Sequence, residues 1–308
     1  MKCLLAIVGP TAVGKSNLSI QIAQRYNGEI INADSRQIYR YMDIGTAKPT
    51  ANDRDLVPHH IVDIILPDES YSVALYKRSA LETINNIQFK GKLPIIVGGS
   101  GQYIWSVIED WSIPEVEPNL EFREMLAAQA AKSGTLKLFE KLAAIDPEIA
   151  DRMQPHNLRR IIRALEIYAA TGVKPSQIRS KHGLPYPVLL IGLTAARDRL
   201  YDLINHRVDE MIVQGLIDEV LNLLKMGYSL RLPSMSSIGY KQIGMYLNGE
   251  FNLEEAIERI KFETHRFARG QYVWFKLNDM RIKWFNVGDD TENKVNYTIE
   301  TFLNDLRE

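Results

Sequence analysis

Gly9, Gly14, Lys15 and Ser16 stand in the stretch GPTAVGKS at the spacing Gly-x-x-x-x-Gly-Lys-Ser. Glycines at those places let the backbone wrap an anion with its own N–H groups. The lysine adds a point charge, and the serine hydroxyl can reach a divalent metal. Pro10, Thr11, Ala12 and Val13 complete the loop. The chemistry is the binding of two adjacent phosphates, and nothing in the spacing requires a nucleotide to carry them.

Such a loop must lie between a strand and a helix. LLAIV (Leu4 to Val8) reads as the strand, and Leu18 and Ile22, four apart, mark one face of the helix. NTPases of this kind also use an acid at the end of another strand to hold Mg²⁺. Here the best buried run, LPIIV, ends in Gly98-Gly99-Ser100-Gly101, which leaves Asp34 and Asp63 as the acids at strand positions. The sequence supports a phosphate site and little hydrolysis machinery.

Asp34 follows the apolar run EIINA. Ligands of parallel α/β proteins gather at the carboxyl ends of the strands, so Asp34 faces the same crevice as Lys15. A carboxylate there can take a proton from an amine or hydroxyl. Gln37 three residues later also suits a helix capping box, which on spacing alone is the simpler reading. Ser100 can reach the same crevice or serve only its glycine-flanked turn. In HNLRRIIRALEIY, Arg159 and Arg163 share a helical face and Arg160 lies off it; this suits phosphate contact or a solvated face equally. Arg207, beside Asp209, reads by default as half of a structural ion pair. His59 and His60 lack further ligands at metal spacing, so a structural role is expected.

The remaining elements follow from periodicity. HIVDII reads as a third strand, a helix is predicted from Val73 to about Phe89, and PVLLIGLTA and MRIKWFNV read as later strands before a terminal helix. Strand–helix alternation in the first third predicts an α/β fold of the P-loop NTPase kind, a parallel sheet flanked by helices. Residues 113–186 read as a helical insertion, leaving 1–112 and 187–308 as the core with a helical C-terminal extension.

Composition narrows the partners. A net charge of -1 gives no global sign of polyanion binding. Locally, seven Lys/Arg face one acid from Arg152 to His182, and seven face two acids from Arg259 to Lys283, a footprint that fits either a polyanion or solvated helix faces. The single cysteine, Cys3, excludes an intrachain disulfide. No apolar run reaches the roughly 18 residues of a membrane span, and no signal peptide is evident. A cytoplasmic monomer without membrane association is expected.

The runs GPTAVGKS, NADSRQIYRYMDIGTAKP, PHHIVDI, GGSGQYI, NLRRIIRALEIYAATG, RVDEMIVQGLIDEV, IGYKQ and RFARGQYVWF occur in order from residue 9 to about residue 275. Together they resemble the tRNA dimethylallyltransferases, the IPP transferase family, and DSRQIYRYMDIGTAKP is the most specific of them. The resemblance implies transfer of a dimethylallyl group from dimethylallyl diphosphate to N6 of adenosine 37, in the anticodon stem-loop of tRNAs that read codons starting with U. It implies that Gly9 to Ser16 bind the diphosphate, with Mg²⁺ near Ser16, and that Asp34 is the general base. Lys15, Ser100 and Arg207 would assist it, the last by neutralising the departing diphosphate. Ser35, Arg36, Gln37 and Ser100 would contact the target base and its neighbours. Arg123, Arg159, Arg160, Arg163, Lys241, Gln242, Arg269 and Lys276 match tRNA-contacting segments. Ser100 stands where the family usually has Thr, and Gly270 where it commonly has a second basic residue. Two enzymes compete with this reading, a prenyltransferase on free adenine nucleotides and a small-molecule kinase; the non-enzymatic rival is an RNA-binding module.

Overall fold

A computed structural model describes residues 2–178 and 180–307. Its six strands are β1 (Leu4–Val8), β2 (Gly28–Asn32), β3 (His59–His60), β4 (Leu93–Gly98), β5 (Val188–Thr194) and β6 (Ile282–Asn286). They form one sheet in the order β3-β2-β4-β1-β5-β6, and every pairing is parallel. The strands β1, β2 and β4 are buried along their whole length. The unbroken apolar runs of β1 and β4 are what a parallel sheet covered on both faces demands, and β2 buries Glu29 and Asn32 beside its two isoleucines. This is the expected P-loop α/β fold.

Early crossovers are made by α1 (Lys15–Arg25), α2 (Ala51–Leu56) and α3 (Val73–Phe89), and α4 (Gly101–Ile108) follows β4. The predicted Val73–Phe89 helix is present, started by Ser72, whose side chain accepts from the Leu75 N–H. The expected third strand is a correction. Strand β3 takes in His60 alone of HIVDII, because Ile61 and Asp63 turn to φ 60° and 57°, and Ile65 makes only an isolated parallel bridge with Tyr39. That turn aims Asp63 at Lys48 (2.5 Å) and Arg54 (2.7 Å), so Asp63 is a structural acid.

Two compact units are present, Met1–Ile108 with Leu184–Glu308, and Glu109–Gly183. The second contains α5 (Leu120–Ser133), α6 (Thr135–Ile145), α7 (Pro147–Asp151), α8 (Leu158–Thr171) and α9 (Pro175–Ile178). These helices close over Leu126, Leu138, Leu142, Ile161 and Leu165, each almost fully buried. Arg179, in the first basic stretch, lies outside the described residues.

The first unit continues with α10 (Arg197–Val213), α11 (Leu216–Lys225), α12 (Tyr240–Leu247), α13 (Leu253–Trp274) and α14 (Thr291–Asp305). Helix α13 packs against both α10 and α12, so this layer stands beside the strand ends that carry the site. Among the described residues no helix is long and apolar enough to cross a membrane.

Candidate active site

The phosphate loop leaves β1 at Gly9, whose φ is 143°. A Cβ there would lie 2.3 Å from the Leu193 carbonyl oxygen on the neighbouring strand, so glycine is required twice over. Gly14 takes a left-handed conformation (φ 89°) to start α1. Lys15 Nζ folds back onto the loop, donating to the carbonyls of Gly9 (3.0 Å) and Pro10 (2.6 Å). Burial pulls the Lys15 ammonium down to about 7, the Arg207 guanidinium pushes the same way, and the Asp34 carboxylate opposes both.

The loop is braced by two helices of the C-terminal half of the same unit, α10 and α13. Gln271, buried on α13, accepts from the Thr11 N–H at 2.8 Å and donates to the Gly99 carbonyl at 3.1 Å. Arg207 on α10 donates to the Thr11 hydroxyl at 3.3 Å. Burial lowers the Arg207 pKa while Asp34 and Glu210 raise it, and a guanidinium in that setting stays cationic. The default reading of Arg207 as half of a structural ion pair with Asp209 or another acid is therefore corrected: Asp209 pairs with Lys261 at 2.9 Å, and among the described residues no carboxylate forms an ion pair with Arg207.

Asp34 follows β2 by two residues, and the next helix, α2, begins only at Ala51. Its Oδ1 accepts from the Arg36 N–H at 2.8 Å, an Asx-type turn, while its own N–H donates to Asn32 Oδ1 at 2.9 Å. Oδ2 has no hydrogen-bond partner among the described residues. The capping-box reading is thus overturned: the Gln37 amide instead donates to the carbonyls of Thr46 (3.1 Å) and Ala47 (3.0 Å). The Ser100 hydroxyl accepts from the Ser35 N–H at 3.1 Å, tying the β4 turn to the Asp34 loop.

That loop is held in place by groups the sequence reading did not single out. Glu219 on α11 accepts from the N–H groups of Asp43 (2.9 Å), Ile44 (2.8 Å) and Gly45 (3.2 Å) and from the Tyr240 hydroxyl (2.5 Å). Lys48, buried, donates to the Tyr39 carbonyl at 2.7 Å and to Asp43 and Asp63. The backbone contacts of Glu219 join residues far apart in the chain, and no local spacing announces them.

Two cavities open beside Asp34. One, of about 440 Å³, is bounded by Thr11 to Ser16, Asp53 and Glu210. The other, of about 510 Å³, is bounded by Ser35, Arg36, Ser100, Ile238, Phe267 and Trp274. Both are lined by Thr11, Asp34, Gly99, Arg207, Met211 and Gln271. The carboxylate thus stands where a phosphate-binding space meets an apolar, aromatic one.

A divalent cation fits the first cavity in one particular way. Ser16 is exposed at the start of α1, and Asp34, Asp53 and Glu210 border the same space. Among the described residues no three His, Cys, Asp or Glu side chains form a metal cage. Such a donor set suits an ion held by the Ser16 hydroxyl, water and the phosphates of a substrate.

The residues expected at an RNA interface fall into two groups. Arg159 and Arg160 are exposed and unpaired among the described residues, and Lys241, Arg269 and Lys276 are exposed on the other unit. Arg123 and Arg163 are both engaged with Glu166, which is 2% exposed and also accepts from the Asn119 N–H. Those three contacts outweigh burial and pull the Glu166 carboxyl down to about 2. Gln242 is buried, and its side chain accepts from the Gly239 N–H at 3.0 Å. Arg36 reaches the Pro233 carbonyl at 2.9 Å.

Comparison with known proteins places this geometry among relatives. The family model described as IPP transferase matches residues 37–278. A tRNA dimethylallyltransferase of Roseiflexus sp. (strain RS-1) is 51% identical over 273 residues, covering 89% of this chain and 90% of that protein. One from Caldanaerobacter subterraneus is 50% identical over 291 residues, covering 93% and 92%. The crystal structure of a full-length tRNA isopentenylpyrophosphate transferase from Bacillus halodurans is similar at TM-score 0.73 and 42% identity, covering 99% of this chain and 98% of that one. A eukaryotic dimethylallyltransferase captured acting on tRNA is similar at TM-score 0.85 and 29% identity, covering 99% of this chain and 80% of that one.

Proposed function

This chain belongs to the IPP transferase family and is a prenyl-transferring enzyme, and we propose that it moves a dimethylallyl group from dimethylallyl diphosphate to N6 of adenosine 37 in the anticodon stem-loop of tRNAs reading codons that start with U. The observation that carries this reading is the meeting of the two cavities at Asp34. A donor diphosphate in the loop cavity and an adenine in the aromatic one bring the reacting atoms together beside the free Oδ2. Family membership and the size of the chain's RNA-facing basic segments favour tRNA over a free nucleotide as acceptor.

In the reaction the N6 nitrogen attacks the allylic carbon, the N–C bond forms, and the carbon–oxygen bond to diphosphate breaks. Asp34 accepts the N6 proton through Oδ2, with Oδ1 fixed by the Arg36 N–H. Lys15 and Arg207 neutralise the charge that grows on the leaving diphosphate, together with the loop N–H groups and the N-terminus of α1. A bound Mg²⁺, held by Ser16, water and the diphosphate, would lower the cost of that departure. Ser35, Arg36 and Ser100 fix the shape of the base-receiving side, and Gln37, which lines the other cavity, holds the 46–47 backbone beside it. The acceptor must leave the loop stack to enter, which a single-stranded anticodon loop permits. Arg159, Arg160, Lys241, Arg269 and Lys276 supply backbone contacts, the first two from the helical Glu109–Gly183 unit. A cytoplasmic location follows from the acceptor.

The test is direct. The protein is incubated with Mg²⁺ and labelled dimethylallyl diphosphate, with an anticodon stem-loop bearing three consecutive adenosines in one reaction and AMP in another. N6-dimethylallyladenosine in the digested stem-loop and none in AMP is the expected result. Label in AMP alone would make the protein a free-nucleotide prenyltransferase. A third reaction offers ATP without the prenyl donor; turnover there, with no prenyl transfer in the other two, would make it a kinase.

A further inference from the structure

Arg197 and Arg269 converge on one neutral atom. Arg269 Nη1 donates to the Tyr201 hydroxyl oxygen at 2.5 Å, and Arg197 Nε donates to the same oxygen at 3.1 Å. Their guanidinium carbons lie 5.9 Å and 5.3 Å from the Tyr201 ring centroid. The ring is fixed from below by His265, stacked on it at 4.0 Å and 10°. Neither arginine forms an ion pair with a carboxylate among the described residues, and both are exposed.

Two like charges gathered on a phenol, with no counter-charge, are an arrangement that an anion completes. The geometry also directs the donors. A phenolic oxygen has two lone pairs, and the two guanidiniums occupy them, so the Tyr201 O–H proton must point outward. The remaining guanidinium N–H groups and that O–H leave the cluster together. A phosphate accepts several such charge-assisted hydrogen bonds at once.

Placement says whose phosphate. On α10, Arg197, Tyr201, Ile204, Val208 and Met211 recur at intervals of four, three, four and three, one stripe of the helix. The last three line the aromatic cavity, and Arg269 immediately precedes Gly270, which lines it too. Tyr201 therefore stands three residues, about 4.5 Å along the axis, beyond the cavity wall. A Cβ on Gly270 would touch nothing within 4 Å, so no atom crowds the edge of the cavity next to Arg269. We propose that Arg197, Tyr201 and Arg269 form a binding site for one backbone phosphate of the acceptor RNA, next to the nucleotide that enters the cavity. The site rests on the reading of that cavity as the acceptor side, and it enlarges the RNA footprint to the start of α10.

The test measures stem-loop affinity by fluorescence anisotropy at several salt concentrations. Losing one phosphate contact reduces the slope of log K against log salt by about 0.7 to 0.9. Arg197→Gln is expected to show that reduction, together with weaker binding. Tyr201→Phe keeps the stacked ring and removes the outward donor; it is expected to weaken binding severalfold with little change in slope. Arg199→Gln, on the same helix but with its guanidinium donating to the Val287 carbonyl at 2.8 Å, is expected to bind as the parent does. An unchanged slope in Arg197→Gln, or an equal loss in Arg199→Gln, would replace the site with a diffuse field. A parent protein that binds the stem-loop and prenylates it while Arg197→Gln is unaltered overturns this site alone. A parent that does neither overturns the acceptor reading itself.

Discussion

Gln271 accepts a hydrogen bond from the Thr11 N–H at 2.8 Å, so a helix that lines the aromatic cavity also sets the phosphate loop. The same carboxamide donates to the Gly99 carbonyl, and a Cβ on Gly99 would stand 2.0 Å from its nitrogen. Loop, strand end and helix are fastened at one buried amide. Replacing Gln271 by Leu leaves one N–H and one carbonyl without partners, at a cost of about 1–3 kcal/mol. Denaturant unfolding is expected to show that loss, and titration with dimethylallyl diphosphate a weaker complex. A Gln271→Leu protein with parental stability and affinity would mean that the loop holds its shape without the brace.

Diphosphate binding should depend on pH through Lys15. The free enzyme holds this group down to about 7, chiefly by burial. An anionic diphosphate favours the charged form, so binding takes up a proton wherever the free enzyme has lost it. Affinity is therefore full below pH 7 and falls above it, by up to about tenfold per pH unit. Lys15→Met should bind more weakly and lack this limb, as calorimetry in buffers of different ionisation enthalpy would reveal. A parent Kd that stays flat from pH 7 to 9 would remove Lys15 titration from the account.

Arginines of the helical unit should separate into two classes. Arg159→Ala and Arg160→Ala are expected to weaken stem-loop binding severalfold and leave the melting temperature alone. Arg163→Ala leaves the buried Glu166 with one guanidinium instead of two. The cost is about 2 kcal/mol, below the figure for a fully enclosed pair because the arginine meets water. Since the Glu166 pKa is depressed to about 2, its contribution is complete above the ordinary carboxylate range and is lost as pH falls toward 2. Thermal melts of the four single variants, with Arg123→Ala as the fourth, decide it; equal melting points throughout would contradict the division.

Much of this was legible in the chain because it is local. The phosphate loop, its flanking strand and helix, and the position of Asp34 at a strand end all follow from spacing within a few residues. What could not be read is long-range. Asp34 and Gln37 fit a capping box by spacing, yet Lys48, Glu219 and the 43–47 backbone draw this segment into a loop and give Gln37 other partners. Asp63 looked like a strand residue because it lies in the short apolar run HIVDII, and in the fold its carboxylate meets the buried Lys48 ammonium. Arg123 and Arg163 carried the same basic signal as Arg159, and only the fold shows Glu166 between them. Gln271 lay within a segment read for its arginine and aromatics, and nothing near it in sequence signalled a partner 260 residues away.

The central claim is that Asp34 receives the acceptor's proton where the two cavities meet. Single-turnover transfer from labelled dimethylallyl diphosphate to the stem-loop, with both substrates saturating, measures it in Asp34→Asn. Asparagine keeps the size of the side chain and an oxygen for the Arg36 N–H, and it lacks the basicity. The account predicts a rate lower by about 10²–10⁴, with stem-loop and diphosphate affinities close to those of the parent. A variant that transfers at the parental rate would contradict it and leave Asp34 a turn residue.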